Sequence, residues 1–153
     1  MAPDGNQVLR PPARLRGLTS WQVSKLATLG ARLTAPRMPL GARTDFAVLA
    51  ALDEYGELSQ AELGRRLGLD RNDVNGVLNR LQQRHQVDRR ADPADRRRNV
   101  ISVTDAGRQQ LEDLQRHADA VQEQLLAHLD PADRDQLHAL LAKLLASHDP
   151  QPA

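Results

Sequence analysis

Residues 59–81, SQAELGRRLGLDRNDVNGVLNRL, carry the clearest structural pattern in this 153-residue chain. Ser59 and Glu62 form a capping-box pattern, which predicts the start of a short helix. Gly68 suits the left-handed residue that follows the end of such a helix. Asp70 is placed to cap a second helix, whose apolar residues share one stripe: Val74, Val77, Leu78 and Leu81. Two short helices joined by a turn of about four residues predict a helix-turn-helix.

The opposite face of the second helix carries Asn72, Asn75, Gly76 and Asn79. Asparagine and glycine are poor helix formers, and an ordinary solvated face would use Glu, Lys or Arg. Asparagine amides can bond adenine in the major groove of DNA, and glycine allows a close backbone approach. We therefore interpret this face as base-reading, against the alternative of a plain solvated face. Arg71, at the start of the helix, is a candidate contact to guanine or phosphate.

The helix that begins the pair offers two further candidates. Ser59 and Gln60 lie at its start, where a DNA backbone would pass, and their hydroxyl and amide groups are expected to contact that backbone.

A two-stranded hairpin is predicted directly after these helices. Val87 begins the first strand, residues 92–95 form a turn, and residues 100–103 form the second strand. Residues 84–98 carry a net charge of +3, although the whole chain carries only +1. A hairpin in this position is a wing, whose tip can enter the minor groove beside the major groove being read.

The wing tip carries three consecutive arginines: Arg96, Arg97 and Arg98. They repel one another, and the narrow, strongly negative minor groove attracts inserted arginine. Asp95 is expected to hold the Arg97 guanidinium in a bidentate pair. The alternative is a flexible charged loop.

Helices are predicted on both sides of this region. Apolar spacing predicts a helix from Leu15 until Pro36, and Phe46 marks another that stops near Gly56. Thr104 is expected to cap a long helix. Asp130 and Pro131 are expected to begin the last helix, as its cap and its first residue. Residues 1–13 are read as a disordered arm and 149–153 as a tail.

Composition excludes several classes of function. The chain has no cysteine, which excludes disulfides, thiolate metal sites and thiol catalysis. The five histidines form no metal or catalytic motif, and no phosphate-binding loop occurs, so neither an enzyme, a metal nor a cofactor is expected. No apolar run reaches membrane-spanning length and no signal peptide is visible, so the protein is expected to be cytoplasmic.

Residues 78–108, LNRLQQRHQVDRRADPADRRRNVISVTDAGR, resemble the MarR-type (multiple antibiotic resistance regulator) winged-helix proteins. They match the end of the recognition helix, the Asp-x-Arg wing tip and the start of the long helix. The resemblance, which runs from about Leu15 to Leu145, implies a mainly α winged helix-turn-helix with a two-stranded β wing. It implies one domain over 14–148, with a DNA-binding lobe at about 43–103 and dimerisation helices at 14–36 and 104–147.

The sequence departs from the family at the base of the wing. Family members commonly have Gly-Leu where this chain has His85 and Gln86. Histidine is tolerated in a left-handed conformation, and Gln86 in place of an apolar residue predicts a less anchored wing base.

The resemblance implies a homodimeric transcriptional regulator, usually a repressor, that binds double-stranded DNA at a palindromic operator. Five leucines within residues 137–145 support the dimer, because one partner helix would not cover them. The resemblance also implies release by a small aromatic or phenolic effector, in a cleft lined by Trp21, Lys25, Arg43 and Phe46. The alternative function is a winged-helix protein-interaction module without DNA binding; an interface of that kind would favour aromatic and aliphatic anchors.

Overall fold

The computed structural model describes residues 10–148; residues 1–9 of the arm predicted for residues 1–13 and the tail predicted for residues 149–153 lie outside these described residues. The last residue of the predicted arm, Ala13, belongs to a helix. The fold is mainly helical, with one small antiparallel sheet. The elements in chain order are α1 (Ala13–Arg16), α2 (Thr19–Thr34), α3 (Leu40–Tyr55), β1 (Leu58–Ser59), α4 (Gln60–Leu67), α5 (Arg71–Gln83), β2 (Val87–Ala91), β3 (Asn99–Val103), α6 (Asp105–Leu125) and α7 (Pro131–His148).

The predicted helix-turn-helix is α4 and α5, and its predicted caps are confirmed. The Ser59 amide donates to Glu62 Oε2 at 2.8 Å, and Ser59 Oγ accepts from the Glu62 amide at 3.3 Å. Gly68 ends α4 in the left-handed region at φ 63°. Asp70 Oδ1 accepts from the Asp73 amide at 2.8 Å and so begins α5. The caps satisfy helix-end amides that would otherwise lack a partner, and they fix where each helix starts.

The predicted wing hairpin is also confirmed, but it belongs to a larger sheet. β2 and β3 pair antiparallel from Val87 opposite Val103 to Ala91 opposite Asn99. The two-residue strand β1 adds to the other side of β3, giving the order β1-β3-β2. The sequence did not predict β1, because two residues are too few to show the alternation that identifies a strand.

The core forms where α3 packs against α4, α5, α6 and β3. Helices α3, α4 and α5 contribute leucine side chains that are almost completely inaccessible to solvent, and β3 contributes an isoleucine. The largest of these residues are Leu49, Leu52, Leu63, Leu78, Leu81 and Ile101. Burial of one such side chain stabilises the folded chain by roughly 1.5–3 kcal/mol, so the apolar stripe of α5 holds that helix onto α3.

A buried ion pair also joins α3 to α5. The side chain of Asp45, on α3, is only 6% exposed, and its Oδ1 lies 2.6 Å from Arg80 Nη2. Arg84, the residue that caps the end of α5, places Nη1 3.4 Å from Asp45 Oδ2. Because Arg80 and Arg84 are one helical turn apart, a single carboxylate contacts both and restricts the rotation and the axial position of α5.

Main-chain hydrogen bonds anchor the base of the wing. His85 takes the expected left-handed conformation at φ 56°. Gln86 is buried, however, and its main chain bonds to neighbours on both sides, the amide to the Leu81 carbonyl and the carbonyl to the Thr104 amide. Oε1 of the buried Gln86 side chain has no hydrogen-bond partner among the described residues, so a wing base that is less anchored by this side chain stays a prediction.

Gly107 explains how closely α6 approaches this turn. A Cβ atom at Gly107 would lie 2.1 Å from the Gln86 carbonyl oxygen. The predicted Thr104 cap is confirmed here, since Thr104 Oγ1 accepts from the Gly107 amide at 3.1 Å. The glycine thus lets the long helix start directly against the wing base.

The terminal helices leave apolar side chains uncovered. The single helix predicted from Leu15 is in fact two, because the backbone is extended at Leu18 after the poor helix former Gly17. Neither α2 nor α7 buries any residue within the described chain. The exposed large apolar residues of the terminal helices are Leu15, Leu18, Val23, Leu26, Leu29, Leu140, Leu141, Leu144 and Leu145.

The ion pair generates a stability prediction. Asp45→Ala is expected to lower the free energy of unfolding by ~1–3 kcal/mol, because it leaves the partly buried Arg80 without its carboxylate. Chemical denaturation followed by circular dichroism measures the change. The control is Asp113→Ala, which removes a surface pair with Arg116 and should change stability by less than about 1 kcal/mol. Equal effects in both variants would contradict the assigned role of Asp45.

Candidate nucleic-acid interface

The outer face of α5 is open to solvent over its whole length. Its predicted base-reading residues are all exposed, whereas the apolar stripe on the opposite side of the helix is buried. These exposed residues are Arg71, Asn72, Asn75, Gly76 and Asn79. Side chains that hold α5 in place and side chains that are free to bind a ligand are thus separated on the two faces of one helix.

Gly76 serves no visible purpose within the chain. A Cβ atom built there would meet nothing within 4 Å, and the residue has no positive φ. Glycine in the middle of a helix lowers stability by roughly 0.5–1 kcal/mol relative to alanine. Neither packing nor backbone conformation requires glycine here. Close approach by an external ligand would explain why the helix has a glycine at this position.

The wing tip and the starts of α4 and α5 border one open groove of about 530 Å³. Its lining brings together Arg71 from α5 and Arg97 and Arg98 from the wing, which the sequence had singled out separately. Gln60 lines the groove as well. Arg96 is exposed at the tip but is not among the lining residues. The groove therefore concentrates positive charge on the same side of the lobe as the start of α5.

Asp95 acts differently from the prediction. Its Oδ1 accepts a hydrogen bond from the main-chain amide of Arg97 at 3.0 Å, and its main-chain carbonyl accepts from the Arg98 amide at 2.9 Å. Its carboxylate forms no ion pair with the Arg97 guanidinium in the described structure. The predicted bidentate pair is wrong, because a short Asp side chain two residues before an amide closes an Asx turn on the main chain. Asp95 shapes the turn and leaves the guanidinium free.

Ser59 also differs from the prediction. It is buried, and its hydroxyl donates to Glu62 Oε2 at 2.6 Å. The pKa of Glu62 is lowered, first because the Ser59 hydroxyl and then its amide donate to the carboxylate, with smaller contributions from Arg98 and Arg65. The hydroxyl proton is therefore used within the capping box, and no free donor remains on Ser59 for a phosphate.

Two arginines of this surface were missed by sequence reasoning. Arg65 is exposed on α4 and lines the groove; its sequence signal was a basic residue on the outer side of the first helix of the pair. Arg89, on β2, places Nη2 3.5 Å from Asn75 Oδ1. No local pattern indicated Arg89, because the contact depends on how the wing packs against α5.

The four residues predicted to line an effector cleft are only partly brought together. Lys25 Nζ lies over the Trp21 ring, 5.5 Å from its centroid. Arg43 Nε donates to the Met38 carbonyl at 3.0 Å, and Phe46 packs against the edge of the core. The cleft remains a prediction.

Within residues 10–148, no cluster of three or more His, Asp or Glu side chains is arranged to hold a metal ion. Over the same residues, no helix combines the length and apolar character needed to cross a lipid bilayer.

A helix-turn-helix followed by a β hairpin, with a basic groove between them, defines this protein as a winged helix-turn-helix protein. A model of the MarR family matches residues 42–98. The transcriptional repressor NicR of Pseudomonas putida is 31% identical over 104 residues, which cover 68% of this chain and 66% of NicR, just under two thirds of its length. The chain belongs to the MarR family of transcriptional regulators.

Solved structures agree with this assignment. A probable transcriptional regulator from Pseudomonas aeruginosa is 34% identical and superposes with a TM-score of 0.71, covering 86% of this chain and 99% of that one. BpsR of Bordetella bronchiseptica, whose DNA binding is regulated by 6-hydroxynicotinic acid, is 26% identical with a TM-score of 0.69. That match covers 82% of this chain and 96% of BpsR.

Replacement of Gly76 is expected to raise the stability of the protein and to weaken its binding to DNA. Gly76→Ala is expected to raise the free energy of unfolding by ~0.5–1 kcal/mol, because alanine is the better helix former and its methyl meets open space. The same methyl is expected to weaken binding to duplex DNA, since it occupies the space of close approach. Thermal denaturation and a fluorescence binding titration measure the two effects.

The matched control for this test is Gly64→Ala. A Cβ at Gly64 would lie 2.9 Å from the Leu69 carbonyl oxygen, so this variant should lose stability. A Gly76→Ala protein that is stabilised but binds DNA as well as the unmodified chain would show that no ligand approaches this position closely.

Proposed function

We propose that this protein is a sequence-specific, dimeric DNA-binding repressor that reads a palindromic operator. One observation carries the proposal. The polar outer face of α5 and the arginine-lined groove beside the wing lie on the same side of the lobe. In this arrangement α5 enters the major groove, and the wing tip reaches the neighbouring minor groove.

The two surfaces have different chemical tasks. Asn72, Asn75 and Asn79 carry amides that discriminate between base edges. The arginines neutralise phosphates or the minor groove, which gives affinity with little sequence preference. We assign DNA contacts to the arginines that line the protein groove: Arg65, Arg71, Arg97 and Arg98. Arg96 contacts DNA from the tip of the wing, and Gln60 contacts the DNA backbone. Ser59 and Asp95 shape the surface and do not contact DNA.

The uncovered leucines support a dimer. Leu137, Leu140, Leu141, Leu144 and Leu145 recur at helical spacing, and the last four are exposed in the single chain. The exposed apolar residues of α1 and α2 add to this area. A second copy of the chain would bury both sets, and the two-fold axis of such a dimer would match the symmetry of a palindrome.

Two relatives support repression that responds to a small aromatic acid. NicR is named as a repressor, and BpsR responds to 6-hydroxynicotinic acid. In this chain, Lys25 and Arg43 offer positive charge for a carboxylate or phenolate, and Trp21 and Phe46 offer aromatic surface. We extend to this protein an effector of that chemical class, aromatic or phenolic and anionic, bound near these four residues.

The test of DNA recognition is selection of binding sites from a random duplex library. The purified protein is expected to enrich a palindrome whose half-sites lie about one helical turn, roughly 10 base pairs, apart. Asn79→Ala is expected to lose preference at one base pair per half-site, at a cost of ~1–3 kcal/mol on the best site and little on random DNA.

The control for this selection is Gln122→Ala, which removes an exposed amide on α6. It should leave the selected motif unchanged. If the unmodified protein enriches no sequence, the chain is a winged-helix interaction module and the proposed function is wrong.

The test of the dimer is analytical ultracentrifugation at micromolar concentration. We expect a species of about 34 kDa, twice the chain mass of 16.9 kDa. The double variant Leu140→Glu with Leu144→Glu should sediment as a monomer, because it places charge in the apolar stripe. Gln136→Glu, a polar position on the same helix, should remain dimeric. A monomeric unmodified protein would contradict the proposed arrangement.

A further inference from the structure

The strand β2 carries two adjacent arginines in opposite environments. Side chains alternate along a strand, so Arg89 lies on the same face as the buried Val87. Arg89 pairs in register with Ile101, which is fully buried. Arg90 points to the other face, where its Nη2 lies 2.5 Å from Glu57 Oε2. Arg89 therefore occupies a position on the inner face of the sheet, where an apolar residue would be ordinary.

The Arg89 guanidinium reaches from the wing to α5. Its Nη2 lies 3.5 Å from both the main-chain oxygen and the side-chain Oδ1 of Asn75. Its Nε is buried without a partner among the described residues, and burial lowers the pKa of this guanidinium. No carboxylate of residues 10–148 forms an ion pair with it. A half-buried charge without an ion pair is unfavourable for stability. Stability therefore does not explain Arg89, and its contact with Asn75 indicates another role.

The contact with Arg89 favours one orientation of the Asn75 amide. A guanidinium has only donors, so it can bind the Asn75 oxygen but not the Asn75 nitrogen. With Oδ1 turned towards the wing, the Nδ2 hydrogens are directed away from Arg89. We propose that Arg89 is a specificity-determining positioning residue, which holds Asn75 Oδ1 towards the wing so that this asparagine turns its Nδ2 donor, and not its oxygen, towards DNA.

This inference, which rests on the proposed DNA-binding function, changes the base that Asn75 selects. A free asparagine recognises adenine by accepting from N6 and donating to N7. An asparagine whose oxygen is turned towards Arg89 presents its Nδ2 donor to the base edge, and this donor matches an edge that offers acceptors. Guanine offers O6 and N7, and thymine offers O4. We therefore expect guanine or thymine, and not adenine, at the base pair that Asn75 reads.

The experiment is selection from a random duplex library with four proteins: the unmodified chain, Asn75→Ala, Arg89→Met and Arg90→Met. Asn75→Ala identifies the base pair, because preference is lost there. The unmodified chain should prefer guanine or thymine at that position. Arg89→Met should shift the preference towards adenine, by about tenfold in the ratio of selected sites, and leave the rest of the motif unchanged.

Arg90→Met is the matched control, because it removes the same charge from the same strand but not the contact to Asn75. It should select the motif of the unmodified protein. Methionine keeps the unbranched apolar stem of Arg89 against the sheet. If Arg89→Met does not fold, Arg89→Lys retains charge and stem but lacks Nη2, and the same shift towards adenine is expected.

Adenine at the Asn75 position in the unmodified protein would overturn the inference, whichever Arg89 variants fold. So would an Arg89 variant that binds all sequences more weakly with an unchanged motif, since that result assigns Arg89 to phosphate contact or to structure. An unmodified protein that enriches no sequence contradicts the proposed function itself and is thereby distinguished from failure of this inference alone.

Discussion

A buried carboxylate joins the central helix α3 to α5 and restricts where α5 lies. Asp45 comes from the helix at the centre of the fold, and its two oxygens face two arginines that are one turn apart, one on α5 and one that caps its end. Apolar packing alone would tolerate some sliding of α5, because leucine and valine contacts have little directional preference. A charged hydrogen bond of 2.6 Å to Arg80 has a defined length and direction. The buried face of α5 is thus fixed by both packing and charge, and its outer face can consist of residues that contribute nothing to the fold.

That division explains why the helix carries residues that weaken it. Asparagine and glycine lower helix stability, yet they occupy the exposed face, where the chain gains nothing from them. Residues that break a local rule without an evident structural benefit are expected at functional sites. The wing shows the same pattern, since Arg97 and Arg98 have no ion-pair partner among the described residues while the Asx turn of Asp95 fixes their main chain. Affinity for an anionic polymer is the external interaction that would favour such a surface.

Local signals predicted most of the fold. Each cap is read from residues within three or four positions of one another, as with Ser59 and Glu62 or Thr104 and Gly107, and each formed as expected. The elements that were missed depend on distant contacts or on very short segments. β1 exists because β3 lies beside it, and the pairing of Asp45 with Arg80 joins residues 35 positions apart.

The residues of the candidate site that follow from local patterns were predicted, and the contacts that depend on distant residues were not. The exposed face of α5 follows from helical periodicity, so its residues could be chosen correctly from the sequence as an exposed set. Asp95 was assigned to the wrong partner because spacing cannot distinguish a main-chain amide from a guanidinium two residues away. Arg89 was overlooked because only the packing of the wing against α5 brings it to Asn75.

Dimethyl sulfate footprinting on the selected duplex tests most directly whether one face of this lobe reads both grooves. The reagent methylates guanine N7 in the major groove and adenine N3 in the minor groove. We expect protection of guanines in two major-groove segments about one helical turn apart, flanked on the outer sides by protected minor-groove adenines. Protection confined to one groove, or no protection of either kind on a duplex that the protein retains, would contradict the placement of α5 and the wing on DNA.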